Sequence, residues 1–175
     1  MDAAHSRHMT YPPPLYRGDN GELTTTLRRN NSEPDFVYPN GSRVHYLSTG
    51  KTTDGLFGLH RYEFGPELTG PDPHYHRTTT ESWYILSGSM RVYDGRQWLT
   101  TEPGEYVHVP PGGIHAFKNE SGEPVSMLLL FTPGAPREKF FEDVVGLAEM
   151  TDQERVEFFI YHDTFGIRDN FTVEG

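Results

Sequence analysis

Asp72-Pro73-His74-Tyr75-His76-Arg77-Thr78-Thr79-Thr80-Glu81 is the stretch from which the rest of the chain can be read. Two histidines at i and i+2 on an extended chain project from the same face, so both imidazoles can reach one ion. The four residues Arg77 to Thr80 then form a turn that brings Glu81 back on the adjoining segment, beside the pair. A second stretch, Gly104-Glu105-Tyr106-Val107-His108-Val109-Pro110-Pro111-Gly112-Gly113-Ile114-His115, ends in another histidine after a Pro/Gly turn. Three neutral imidazoles and one carboxylate satisfy a first-row divalent metal and leave coordination positions open. His74, His76, Glu81 and His115 are therefore the candidate ligands of one divalent transition-metal ion, with iron, nickel, cobalt, manganese, copper and zinc all open. The chain has no Cys, which excludes thiolate ligands and disulfides.

Outward from these stretches, the chain breaks into short β-type pieces separated by turn signals. Strands are expected at 43–47, 56–64, 81–86, 89–93, 97–101, 106–109, 116–119 and 125–132. Asp94-Gly95 reads as a two-residue hairpin turn of type I′. Many short strands with no intervening helices imply a closed barrel or a sandwich, an all-β fold. Alternation through Glu81 places Trp83 and Ile85 on the ligand face, and alternation through His115 places Phe117 there. In 56–64, His60 and Tyr62 share a face with Phe64. Trp83, Ile85, Phe117, His60 and Tyr62 are the candidate pocket wall, while His108 is read as pointing outward.

The tail changes character. Pro136 suits the first turn of a helix, and Phe140, Phe141, Val144, Val145 and Ala148 form an apolar stripe at helical spacing. Thr151 with Glu154 matches a capping box opening a second helix through Phe158, Phe159 and Tyr161. The domain expectation is a tag remnant and irregular N-terminal arm over 1–35, a barrel over 36–132 and a helical extension over 133–175. Met1 to His8 looks like a tag remnant ahead of Met9 and is set aside.

At 175 residues the chain suits one domain, and 18 Gly, 14 Pro and 13% aromatics lean toward β structure. A net charge of −10 argues against a nucleic-acid partner, since phosphate binding needs a cationic face. The longest apolar run, Met127 to Phe131, is far below a membrane span, so no membrane partner is expected. With no secretory apolar region near the start, a cytoplasmic location is expected.

The segment His74-x-His76-x4-Glu81-x6-Gly88 resembles the first motif of the cupin superfamily, and Gly104-x5-Pro110-x-Gly112-x2-His115-x3-Asn119 resembles the second. One position departs from the pattern. The first motif usually opens with a Gly five residues ahead of the His pair, whereas Gly70 precedes His74 by three intervening residues. The resemblance implies a cupin barrel (a double-stranded β-helix, or jelly roll) with C-terminal helices. Within the superfamily, the chain resembles single-domain cupins of the small quercetin-dioxygenase type. That implies a small-molecule substrate with a chelating hydroxyl/carbonyl pair, a Glu81 that doubles as ligand and catalytic base, and a homodimer. Two alternatives stand beside it: a metal-dependent cyclase, isomerase or lyase of natural-product metabolism, and a non-catalytic small-ligand-binding cupin.

Overall fold

The computed structural model describes residues 11–167. The tag-like Met1–His8 segment and the last residues of the helical extension, 168–175, lie outside them. The chain divides into two units, Met1–Asn30 and Asn31–Gly175. Residues 11–30 contain no helix or strand and are exposed throughout. Their Pro-rich, polar composition gives them no apolar face to bury.

The second unit runs β1 (Phe36–Val37), β2 (Arg43–Ser48), β3 (Gly58–Phe64), β4 (His74–Tyr75), β5 (Thr80–Ser87), β6 (Met90–Tyr93), β7 (Trp98–Thr101), β8 (Tyr106–Val109), β9 (Ala116–Lys118) and β10 (Val125–Thr132). It continues through α1 (Arg137–Asp143), a 3-10 turn (Val144–Glu149), α2 (Asp152–Tyr161) and β11 (Phe165–Gly166). A six-stranded sheet has the order β1-β2-β3-β10-β5-β8, and β7-β6-β9 form a second sheet. β11 pairs with β4 as a separate ribbon. All named strand pairs are antiparallel. Together they make a jelly roll with two short helices at its C-terminal end.

β10 explains why the core sits where it does. Its apolar run alternates strictly, with Val125, Met127, Leu129 and Phe131 buried and the residues between them half-buried. It lies between β3 and β5, and Leu129 is opposite His60 on one side and Trp83 on the other. The inward faces of three strands therefore share one layer, in which each large apolar side chain contributes about 1.5–3 kcal/mol by burial. His60 points into this layer and is fully buried, whereas Leu59 is only half-buried.

Several local expectations change in the structure. The strand expected from 56 starts at Gly58, because Leu56 N–H and Phe57 N–H are bonded to Thr53 in a turn closed by Gly55. The Asp94-Gly95 turn is not type I′: Gly95 has positive φ but Asp94 does not. Asp94 Oδ1 instead accepts from Arg96 N–H and Gln97 N–H, both at 2.8 Å, which lengthens the loop to 94–97. This self-capping by an Asp side chain competes with the tight turn. The apolar stripe through Ala148 does not form one α-helix. α1 ends at Asp143 and the chain tightens to 3-10 geometry around Gly146, a poor helix residue. The Thr151–Glu154 capping box is present at the start of α2.

The displaced glycine of the first motif has a steric reason to be there. Gly70 has φ +145, and a Cβ at that position would lie 1.9 Å from the Phe117 carbonyl oxygen. The adjacent Thr69–Asn119 bridge presses the two segments together, so no side chain fits.

Candidate metal centre and its cavity

β4 and the approach to β9 are tied by reciprocal backbone bonds between His74 and His115, both N···O 2.9 Å. That bridge carries two of the candidate donors. His76 follows β4 by one residue, and Glu81 lies near the start of β5 on its inward face. The donor atoms of His74, His76, Glu81 and His115 lie within 4.8 Å of one another, and all four residues are buried. His76 Nε2 is 2.9 Å and His115 Nε2 3.2 Å from Glu81 Oε2.

The other ring nitrogens decide what the cluster can do. His74 Nδ1 faces the Asp72 carbonyl at 2.8 Å, His76 Nδ1 the Asp163 carbonyl at 2.5 Å, and His115 Nδ1 the Gly113 carbonyl at 2.9 Å. A carbonyl oxygen only accepts, so each Nδ1 carries the proton and donates it. Each neutral imidazole then presents an Nε2 lone pair toward the centre. Three inward lone pairs and a carboxylate repel one another unless a cation lies among them, and second-layer carbonyls of this kind are what orient metal-binding histidines. The donor set fits a divalent ion with nitrogen and oxygen preference.

Electrostatics agree with a neutral His74 and an ionised Glu81. Burial, followed by the neighbouring His115, lowers His74 to about 3. Burial raises the Glu81 carboxyl, but contacts with His115 and His76 outweigh that and hold it well below the ordinary carboxylate range. For His115, burial acts downward, and the contact with Glu81 outweighs it and moves the group upward. Trp83 Nε1–H donates to Glu81 Oε1 at 2.7 Å, which leaves Oε2 for the centre.

A cavity of about 750 Å³ opens on the cluster, with His74 and Glu81 in its wall. Tyr62 and Phe117 from the candidate wall line it, joined by Phe131, Phe140, Phe141 and Phe159. The other three candidates do not line it. Trp83 and Ile85 are consumed by core packing, with Trp83 turned against Phe117 and His115. His60 is buried behind Phe131 and Phe141, whose rings stand between it and the cavity. His108 is exposed, as expected, and its Nδ1 lies 3.3 Å from Ser82 Oγ on the outer face.

Two residues that the sequence reading did not single out belong to the site. Asp163 caps the turn after the His pair: its Oδ1 accepts from Arg77 N–H at 3.0 Å and its Oδ2 from Thr78 N–H at 2.9 Å and Thr78 Oγ1–H at 2.6 Å. Its carbonyl meanwhile holds His76. It adopts φ 52, a conformation that Asp tolerates better than most residues. Arg137 is 8% exposed at the start of α1, on the cavity wall, and its Nη1–H donates to the His162 carbonyl at 2.8 Å. Neither lies in a motif; their only sequence mark is the turn after the second helix and a basic residue after Pro136.

The jelly roll brings together three histidines and a glutamate that could hold a metal ion beside an aromatic cavity. Residues 60–131 match the cupin domain. The chain is 33% identical over 82 residues to quercetin 2,3-dioxygenase of Bacillus subtilis, a match covering 46% of this chain and 24% of that protein. It spans between 11% and 53% of the length of the curated relatives it matches. Among solved structures it superposes on KdgF from a Halomonas species with TM-score 0.53 and 16% identity, covering 62% of this chain and 94% of that one. The polyketide cyclase RemF from Streptomyces resistomycificus gives TM-score 0.51 and 23% identity over 62% of this chain and 79% of that one. No helix among the described residues is long and apolar enough to cross a membrane.

Proposed function

We propose that the protein is a metal-dependent dioxygenase of quercetinase type, acting on an aromatic molecule that offers adjacent hydroxyl and carbonyl oxygens. The observation that carries this reading is a cluster of four buried donors, of which His74 and Glu81 line an aromatic-walled cavity of about 750 Å³, a volume that suits a flat bi- or tricyclic molecule. The sequence likeness to quercetin 2,3-dioxygenase supports the same reaction class.

When bound, a divalent ion would lower the pKa of a coordinated hydroxyl and favour its ionised form. The chain's own residues do the rest. His74, His76 and His115 hold their Nε2 atoms inward through the three Nδ1–carbonyl contacts. Glu81 is ionised at neutral pH and so is in the form that accepts the substrate hydroxyl proton on its carboxylate. Trp83 Nε1–H keeps that carboxylate from rotating. Phe131 and Phe141 line the cavity and offer apolar ring surface against which a flat ring can pack.

Glu81→Gln tests the reading. It keeps an oxygen donor and the shape but loses the basicity. With a flavonol substrate, turnover should fall by about 10² to 10⁴-fold at full metal occupancy, the usual size of a general-base contribution. Metal content, O₂ uptake and product are measured on the same preparation. Full activity in the metal-saturated variant would remove Glu81 as base. Substrate conversion without O₂ uptake would replace oxygenation by Lewis-acid cyclase or isomerase chemistry.

A further inference from the structure

Arg137 is a buried cation that makes no ion pair among the described residues, although the charges of Glu81 and Asp163 act on it from a distance. Its Nη1–H bonds go to neutral oxygens, the His162 carbonyl at 2.8 Å and Thr164 Oγ1 at 3.2 Å. Its Nε has no partner, and Nη2 makes no hydrogen bond to any described residue. The guanidinium plane is fixed by Phe140, 4.0 Å from Cζ to the ring centroid, and by Phe131 at 5.2 Å. Aromatic faces orient a guanidinium but do not neutralise it. The other guanidinium on the cavity wall is already engaged: Arg155 pairs with Asp152 at 3.3 Å and donates to the Met150 carbonyl.

A desolvated charge that makes no ion pair is costly, so a fold that keeps one needs something else to offset it. Glu81 does not fill that role. It is already held by Trp83, His76 and His115, and its negative charge belongs to the metal centre. Ser42 Oγ, buried on the same cavity wall, is a second polar atom with no partner.

We propose that Arg137 is an anion-recognition residue of the cavity, and that the physiological ligand is an aromatic molecule carrying an oxyanion in addition to the oxygens it offers to the donor cluster. This rests on the reading of the cavity as a substrate site. Nε is occluded, so a carboxylate or an ionised phenol would meet the guanidinium through Nη2, in a charge-assisted hydrogen bond. Phe131 and Phe140 fix the guanidinium plane on the cavity wall, where the ligand's rings would pack beside it.

The test uses chelator-treated full-length protein, so that it does not depend on the metal or on turnover. Affinities are measured by fluorescence for 2-naphthoate, 2-naphthamide and 2-naphtholate-forming 2-naphthol. 2-Naphthoate should bind at least about tenfold more tightly than 2-naphthamide, as expected for a charged rather than neutral hydrogen-bonded pair. The preference should disappear in Arg137→Gln. If naphthol gains the same advantage above its own pKa, the natural oxyanion is a phenolate; if only naphthoate has it, a carboxylate. The Arg137 Nε–H NMR resonance of the wild-type protein should shift on titration with naphthoate and stay in place with naphthamide, which decides the matter even if the variant does not fold. Equal binding of naphthoate and naphthamide, no binding of either, a preference that survives Arg137→Gln, or an unmoved Nε–H resonance would each overturn the proposal. Loss of metal binding or oxygenation would overturn the proposed function and leave these apoprotein measurements standing.

Discussion

The donor cluster and the helical cover face the same cavity and are built in opposite ways. In the cluster, His74 and His115 are each fixed by a carbonyl two residues upstream, Asp72 and Gly113, and the two segments are locked by their reciprocal backbone bridge. For those two histidines orientation is set by local chain geometry, whereas His76 is held by the distant Asp163 carbonyl. The cover has no such local logic. Arg137 at the start of α1 is held by His162 and Thr164, some 25 residues later, and Phe140 of α1 stacks on Phe158 of α2 at 5.6 Å. The candidate donors thus sit on or beside the strand framework, while the cover is built from elements that can diverge without disturbing them.

The largest expected effect breaks one side of this comparison and spares the other. His115→Ala removes an inward Nε2 and should weaken metal affinity by more than about 100-fold, beyond what loss of a supporting contact does. The 2-naphthoate affinity of the metal-free protein should change little. Metal analysis and the fluorescence titration on one preparation check both halves; a parallel loss of naphthoate binding would mean that the cover depends on the cluster.

Asp163 is where the two regions touch, so its effect should be intermediate. Asp163→Asn tolerates the same positive φ but replaces an acceptor with an NH2 group facing Thr78 N–H. Metal affinity should fall about tenfold, the size expected when an orienting partner of a ligand is lost. Isothermal titration with zinc measures it. Unchanged affinity would show that the Asp163 carbonyl holds His76 without help from the side chain.

This division also explains what could be read from the chain. The four donors and the strand framework were legible because i, i+2 spacing, turn residues and alternation are local properties, and the barrel needed little more. The wall of the cavity was half legible. Alternation through Glu81 correctly turned Trp83 and Ile85 inward, but inward in a jelly roll means either core or cavity, and only the packing of α1 and α2 over the barrel mouth separates the two. Tyr62 and Phe117 fell on the open side; Trp83, Ile85 and His60 fell on the filled side. Arg137 and Asp163 could not be found from spacing, because each acts on a partner more than 20 residues away.

His60 tests the filled side. Its ring lies against Tyr46, Phe131 and Phe141, and neither nitrogen has a hydrogen-bond partner. Burial first, then the nearby Arg137 charge, lowers it to about 4. An unfolded chain takes up this proton as pH falls through roughly 6.5, whereas the folded protein does not until near 4. Between those values the unfolded state binds more protons, so stability is lost as pH falls, by up to about 1.4 kcal/mol per pH unit. His60→Leu should lie within about 1 kcal/mol of wild type at pH 7.5, since it removes polar atoms that make no bonds. At pH 5 it should be the more stable protein. Urea unfolding of metal-free protein across this range measures the slopes, and identical slopes would show that His60 is protonated in the fold.

The smallest effect probes the cover alone. Thr151 caps α2 by accepting from Glu154 N–H, while the Glu154 carboxylate accepts from Thr151 N–H at 2.8 Å. Thr151→Ala removes one half of this box and should cost about 1 kcal/mol. For a domain of this size that lowers the unfolding midpoint by about 2–4 °C if α2 unfolds with the barrel. If α2 opens separately, the midpoint stays put and only its amides exchange faster. Hydrogen exchange resolved along α2, read beside the melting curve, separates these cases. Metal affinity should not change in either. A metal affinity that falls with the cap would mean that loosening α2 reaches His76 through Asp163, two residues beyond the helix, and the cover would then act on the donor cluster as well as on ligand choice.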